Sequence, residues 1–120
     1  MTEGTYMPGD GIRITPTVLI AANRLVDMTG EQAGAGVNCM GFAPYAIAAG
    51  TPGLAYDWNR GSYLVEAGAP IAANQYLMSD ANGRVILYVA LPGNKIVGFC
   101  VTGASAATHK VEVFPIPPQP

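Results

Sequence analysis

The tetrapeptide Ile-Ala-Ala-Asn occurs twice, at residues 20–23 and 71–74, and its surroundings recur with it. Downstream of the first copy runs CMGFAPYAIAAGTPGLAYDW (39–58), and downstream of the second IVGFCVTGASAATHKVEVFP (96–115). With Gly41 set on Gly98 the two segments align without a gap. Phe42 then falls on Phe99, Ala49 on Ala106, Thr51 on Thr108, and Leu54 and Tyr56 on Val111 and Val113. Each half reads as an IAAN strand, a turn, a Gly-Phe strand, a small-residue crossover and an alternating strand. A chain that repeats on this scale folds as copies of one supersecondary unit around a common core. Two copies are too few for a solenoid, so closure into a small barrel or sandwich is expected. The halves are unequal, with the surplus of the second around ILYVALPGN (86–94).

The local signals are those of short strands. Fifteen Gly and ten Pro in 120 residues favour many turns over long helices. IRITPTVLI (12–20) alternates Ile12 and Ile14 against Arg13 and Thr15 until Pro16, which has no N–H for a ladder, so this is an edge strand or two short ones. RLVDM leads into TGEQAGAG (29–36), whose glycines read as a loop. VNCMGFA is a strand, and PGLAYDW is expected to pair with GSYLVE across the turn at Asn59–Gly61. In QYLMSDANGRVILYVAL the pair Asn82–Gly83 suits a type I′ hairpin turn, because both residues tolerate positive φ. NKIVGFCVTG and HKVEVFPI supply the last strands, with Val111 and Val113 alternating against Lys110 and Glu112. In the Gly-Phe pairs, the glycine admits a neighbouring chain closely and the phenylalanine is expected to turn the other way, into the core. The tail FPIPPQP cannot enter a sheet interior and is extended, either as a frayed end or as a strip lying on a partner. The chain thus divides into an extended N-terminal arm (1–17), an all-β domain (18–116) with pseudo-repeats at about 20–58 and 71–115, and a proline-rich tail (117–120).

Composition excludes several functions. A formal net charge of −2 with six scattered basic residues argues against nucleic-acid binding, which needs a basic face. No apolar run approaches the roughly 18 residues of a membrane span, and MTEGTYMPGDG has neither the basic flank nor the apolar stretch of a secretory signal. Synthesis in a cytoplasm is expected, where two cysteines stay reduced. Charged residues make up 12% of the chain, about half the usual ~25%, which fits a surface partly covered by partners.

Chemistry is sparse. A thiol nucleophile would pair His109 with Cys39 or Cys100, but the spacing does not support it, and buried inert thiols are the default. One His and two distant Cys make no zinc site. SDANG (79–83) lacks the ligand series and distal Glu of a calcium loop and reads as a hairpin turn. No catalytic residue, metal or cofactor is assigned. Tyr56, Trp58 and Tyr63 form the one candidate platform for a sugar ring, against ordinary sheet packing.

The order IAAN…GF…AIAAGT…Y…W…GSYLVEAGAPIAANQYLMSDANGRVI…NKIVGFCVTGASAATHKVEVFPI resembles the short head decoration, or capsid cement, proteins of tailed bacteriophages, of the small β-barrel or β-tulip type. The resemblance covers about residues 12–116 and rests on glycine placement and apolar pattern. It implies a structural virion protein, made in the host bacterial cytoplasm, that binds the outer surface of the expanded head and bridges major capsid subunits. It implies a homotrimer or homodimer, with the major capsid protein as partner and neither nucleic acid, membrane nor catalysis involved. It also implies that the N-terminal arm reaches onto the capsid, with Tyr6, Met7, Ile12 and Ile14 as anchors. Tyr45, Thr51, Thr108 and Pro115 are further candidates for contacts with sister subunits or capsid. The ILYVALPGN surplus and the proline-rich tail depart from the family pattern. The alternatives are another virion accessory such as a fibre base, or a carbohydrate-binding module.

Overall fold

The structure, a computed structural model, describes residues 11–57 and 61–119. Among these residues there is no helix; the strands are β1 Ile12–Ile14, β2 Arg24–Asp27, β3 Cys39–Ala43, β4 Gly53–Asp57, β5 Tyr63–Glu66, β6 Gln75–Ser79, β7 Val85–Leu87, β8 Gly98–Cys100 and β9 Lys110–Pro115. They form two antiparallel sheets, ordered β1-β4-β3-β2 and β5-β9-β8-β6-β7. The fold is all-β. Residues 12–14, assigned above to the arm, are an edge strand of the first sheet, held by β4 through Ile12↔Ala55, Arg13↔Leu54 and Ile14↔Gly53. The expected pairing of β4 with β5 is not seen; the two belong to different sheets, because β4 lies between β1 and β3 and β5 is bound by β9.

The two sheets are built alike, strand for strand, with β7 added to the second. Each IAAN ends in an asparagine with left-handed backbone, Asn23 at φ 61° and Asn74 at φ 59°, a conformation that asparagine tolerates better than most residues. That corner turns the chain into β2 or β6. Ile20 exchanges two backbone hydrogen bonds with Ile47 (2.9 Å each), as Ile71 does with Ala104 (2.8 and 2.9 Å). The registers Arg24↔Ala43, Leu25↔Phe42 and Val26↔Gly41 in the first sheet match Gln75↔Cys100, Tyr76↔Phe99 and Leu77↔Gly98 in the second.

The gapless alignment fails beyond the crossover. Phe42 pairs with Tyr56, and its counterpart Phe99 pairs with Phe114, not with Val113. One extra residue therefore lies in the second crossover, and Ala55, not Tyr56, is the counterpart of Val113. Burial agrees: Ala55 and Val113 are fully buried, Tyr56 and Phe114 exposed. A one-residue slip turns every side chain to the opposite face, which is why the sequence alignment set exposed Leu54 and Tyr56 on buried valines. The corrected alignment also brings Gly50 (φ 72°), whose N–H donates to the Pro16 carbonyl, onto Thr108 (φ 73°), whose N–H donates to the Ala67 carbonyl. A β-branched residue holds the left-handed position that glycine takes in the other half.

Why glycine precedes each phenylalanine is visible in the spacing. A Cβ on Gly41 would fall against the Tyr56 carbonyl oxygen, and one on Gly98 would lie 2.8 Å from the Phe114 carbonyl oxygen. The neighbouring strand, β4 or β9, passes too close for any side chain. The β6–β7 hairpin differs from the expected type I′ turn: Gly83 has positive φ (75°) whereas Asn82 does not. Asp80 organises the loop instead, its carboxylate accepting from the Asn82 and Arg84 N–H groups at 2.8 and 2.9 Å.

Two buried clusters follow. The smaller gathers Ile14, Ile20, Val26, Ala43, Ile47 and Ala55 on one face of the first sheet, with Ile12 and Met40 packed at its margin. The counterparts of those six, Val65, Ile71, Leu77, Cys100, Ala104 and Val113, all sit in the larger cluster. Leu25, Ala33, Cys39 and Phe42 complete the larger cluster from the first half. Since Leu25 and Val26 are adjacent on one strand, they point to opposite faces: the first sheet is buried on both sides around β2 and β3. The junction is polar at its rim. Asn23 accepts from the Glu66 N–H (3.1 Å) and donates from Nδ2 to the Leu64 carbonyl (3.5 Å). Glu66 meets Arg24 at 3.4 Å and Arg84 at 3.6 Å, and the Phe42 and Tyr63 rings stack with centroids 5.3 Å apart.

The proline-rich tail is neither frayed nor spare up to Gln119. Gln119 exchanges hydrogen bonds with the Asn38 side chain, giving its N–H to Oδ1 (3.0 Å) and taking Nδ2 on its carbonyl (2.7 Å). Its own side-chain amide spans Ile96, accepting from the N–H (3.2 Å) and donating to the carbonyl (2.6 Å). The clamp ties loop 29–38 of the first half to the approach to β8. Gln119→Ala is expected to destabilise the protein by about 1–3 kcal/mol, read as a lower urea midpoint at unchanged m-value. Thr108→Gly is expected to stabilise it by about 1 kcal/mol and Gly50→Thr to destabilise it by a similar amount or more, both visible as shifts in melting temperature.

Candidate interaction surface

The second sheet has one buried face and one largely exposed across β5, β9 and the start of β6. In β9 Val111 and Val113 are buried while Lys110, Glu112 and Phe114 are exposed; in β6 Leu77 is buried while Tyr76 is 52% exposed. The registers Tyr76↔Phe99 and Phe99↔Phe114 put three aromatic side chains in one row across β6, β8 and β9. Tyr76 and Phe99 meet edge-on, with centroids 5.4 Å apart and planes at 64°, an arrangement aromatic pairs favour. Leu64, 54% exposed, lies on the same side of β5, opposite Glu112. A wet sheet face ordinarily carries Thr, Ser, Lys and Glu; a row of partly exposed aromatics there makes this face the candidate contact surface.

The counterpart row in the first sheet is Leu25, Phe42 and Tyr56. There Leu25 is wholly buried and Phe42 is 4% exposed, covered from the second half, while Tyr56 stays exposed. Expecting both phenylalanines of the Gly-Phe pairs to enter the core is therefore half right: Phe42 does, and Phe99 lies on the outer face, half-buried. Alternating aromatics in QYLMS, GFC and VFP carried the signal for this row, but only correct register could align them.

A second exposed group lies beside the first crossover, where Val18, Leu19 and Tyr45 flank the Ile20–Ile47 bridge at 67, 54 and 75% exposure. Thr51 is exposed on the same crossover and Thr108 on the second, whereas Pro115, half-buried, ends β9 opposite Gly98. These four candidates thus divide between the two sheets. Of the arm anchors, Tyr6 and Met7 lie outside the described residues. Ile14 is 7% exposed and belongs to the smaller core, so it is not available to a partner; Ile12 is half-buried at that core's margin. Of the sugar-platform residues, Trp58 lies outside the described residues and Tyr63 has its ring against Phe42.

Cys39 and Cys100 are free and buried. Burial first, and the nearby Asp27 carboxylate second, push the Cys39 thiol up from 9.0 to about 12, and only a thiolate is a nucleophile. His109 is exposed, with Nδ1 3.1 Å from Ser105 Oγ. Among the described residues no three His, Cys, Asp or Glu side chains cluster as metal ligands would. The raised thiol has a consequence for pH. The unfolded thiol ionises near 9 while the folded one holds its proton to about 12, so alkali favours the unfolded state. Stability is full below pH 9 and falls as pH rises toward 12. Cys39→Ala is expected to lessen that alkaline loss relative to the unaltered chain in denaturation curves at pH 8 and pH 10.5.

Comparison with known proteins gives the chain its family. The family model for phage cement proteins matches residues 6–114, a span that takes in both sheets, and the chain belongs to that family. Among solved structures it is similar to the N base of the head fiber gp8.5 of bacteriophage phi29, at a TM-score of 0.74 and 16% sequence identity, over 92% of this chain and 96% of that one. That likeness is one of fold. No curated protein sequence matches.

Proposed function

We propose that this member of the phage cement protein family binds the outer surface of the expanded phage head and bridges neighbouring major capsid subunits, as a non-enzymatic, self-associating stabiliser. The family match over residues 6–114 carries the reading. The surface supports it: large apolar side chains such as Tyr45, Tyr76 and Phe114 are exposed on a chain with only 12% charged residues. Interface centres are depleted of charge and enriched in aromatics. One small domain offers a modest contact, and self-association multiplies weak contacts into firm attachment through effective concentration. In this reading the residues before β1 reach onto the capsid, with Tyr6 and Met7 as anchors, and Tyr45 and Thr51 lie on a second contact. A second reading, the base of a head fibre, draws on the likeness to the phi29 head fiber base; the two differ in whether the protein covers the capsid lattice or stands at separate fibre positions.

Mixing the purified protein with expanded and unexpanded heads tests the proposal. Attachment to expanded heads alone, with raised resistance of those heads to heat, is expected; no attachment to either form would sink it. Deleting residues 2–10 is expected to abolish head binding and leave the melting temperature nearly unchanged, because β1 starts at Ile12. Electron microscopy of the attached protein separates lattice cover from fibre positions.

A further inference from the structure

We propose that the Asn82–Gly83 peptide in the β6–β7 hairpin loop is a site of spontaneous modification, activated by Arg24 and needing only water. The asparagine cyclises onto Gly83 and reopens as isoaspartate, and the isoaspartyl form loosens the hairpin's hold on β2. Asn82 is the one asparagine of the chain that glycine follows, and it is exposed. Its side-chain amide has no hydrogen-bond partner among the described residues. Gly83 carries no Cβ to obstruct the approach of its nitrogen to the Asn82 side chain. The N–H on that nitrogen is lightly held, donating to the Asp80 carbonyl at 3.3 Å, longer than such bonds usually run.

Ring closure requires the Gly83 N–H to give up its proton, which leaves negative charge shared between that nitrogen and the Asn82 carbonyl oxygen. Arg24 Nη1 already donates to this oxygen at 2.8 Å. A guanidinium there is a preset, charge-assisted donor at an atom where charge develops. The nitrogen attacks Asn82 Cγ and a C–N bond forms. The Cγ–Nδ2 bond breaks, and Nδ2 leaves as ammonia with the proton that Gly83 lost. Water then opens the cyclic imide. Addition at Cγ gives aspartate; addition at the former backbone carbonyl gives isoaspartate, whose main chain runs through Cβ and Cγ and is one methylene longer. Nothing is oxidised or reduced.

The fold has no slack for that methylene. The carbonyls of both residues are tied to β2, that of Asn82 by Arg24 Nη1 and that of Gly83 by the Leu25 N–H at 2.8 Å. Gly83 is itself buried, and the space beside it is taken: a Cβ there would lie 2.7 Å from Gln32 Cγ and 3.4 Å from Arg24 Cβ. Gln32 is fixed in turn, accepting from the Ala21 N–H at 3.0 Å. On isomerisation the Asn82 carbonyl becomes a free carboxylate beside Arg24, and the Gly83 anchor is pushed along β2. The bond given up is that of Leu25, a wholly buried residue of the larger cluster.

Incubating the full chain in mildly alkaline buffer, below its melting temperature, tests this. Peptide mapping of the folded protein is expected to find the amide-to-acid mass gain at Asn82–Gly83 ahead of every other asparagine, with isoaspartate in excess of aspartate. Asn82→Ala is expected to abolish the gain, and Arg24→Gln, checked for an unchanged circular dichroism spectrum, to slow it several-fold. The isoaspartyl fraction, separated by ion exchange, is expected to melt several degrees below the unaltered chain. Asn82→Asp brings a carboxylate without the methylene and is expected to melt close to the unaltered chain. A folded chain that stays intact while the urea-unfolded chain is converted would overturn the proposal, because the loop would then protect the site. So would an Arg24→Gln variant that reacts as fast as the unaltered chain, or an isoaspartyl fraction that melts with it.

Discussion

The structure depends on Leu25 and Phe42 facing away from their own half. Both belong to the first sheet, yet both are buried in the cluster built mainly from the second. Without them Val65, Leu77, Val111 and Val113 would line an open face, and burying aliphatic side chains of that size is worth about 1.5–3 kcal/mol each. The first sheet is consequently a middle layer, with Val26 and Ala43 on one side and Leu25 and Phe42 on the other. Its strands β2 and β3 are short, and they carry almost continuous burial where an ordinary antiparallel strand would alternate. The ion pairs of Glu66 with Arg24 and Arg84 ring this junction; partly exposed, they add orientation more than stability.

Much of this was legible in the sequence because glycine and asparagine encode backbone constraints directly. The two IAAN corners require left-handed residues, and the two Gly-Phe pairs mark where β4 and β9 cross too close for a side chain. These local requirements revealed the repeated unit. What stayed hidden depends on register. ATHK and GTPG look interchangeable by letter, yet the second crossover holds one residue more, and only the hydrogen bond from Thr108 to Ala67 reveals where. The same limit concealed the aromatic row: Tyr76, Phe99 and Phe114 are far apart in sequence and align only after two strand pairings are known. The tail misled for another reason. Its prolines signal an extended chain without saying what it lies on, and that is decided by one side chain, Gln119, meeting Asn38 and Ile96.

The scarcity of charge takes a particular form here. The charged side chains of Glu66, Arg24, Arg84 and Asp80 are concentrated at the junction between the halves and the neighbouring hairpin, where they are spoken for. The outer face of the second sheet keeps the exposed Lys110 and Glu112 beside its aromatics.

The order of the strands also dictates when each sheet can exist during synthesis. Every strand of the first sheet lies between residues 12 and 57, so it can assemble as soon as that stretch leaves the ribosome. The second cannot: β5 has β9 as its strand partner, and β9 comes last. Until then Leu25 and Phe42 stand uncovered on a half-built protein, offering to any neighbouring nascent chain the face that the completed molecule reserves for itself.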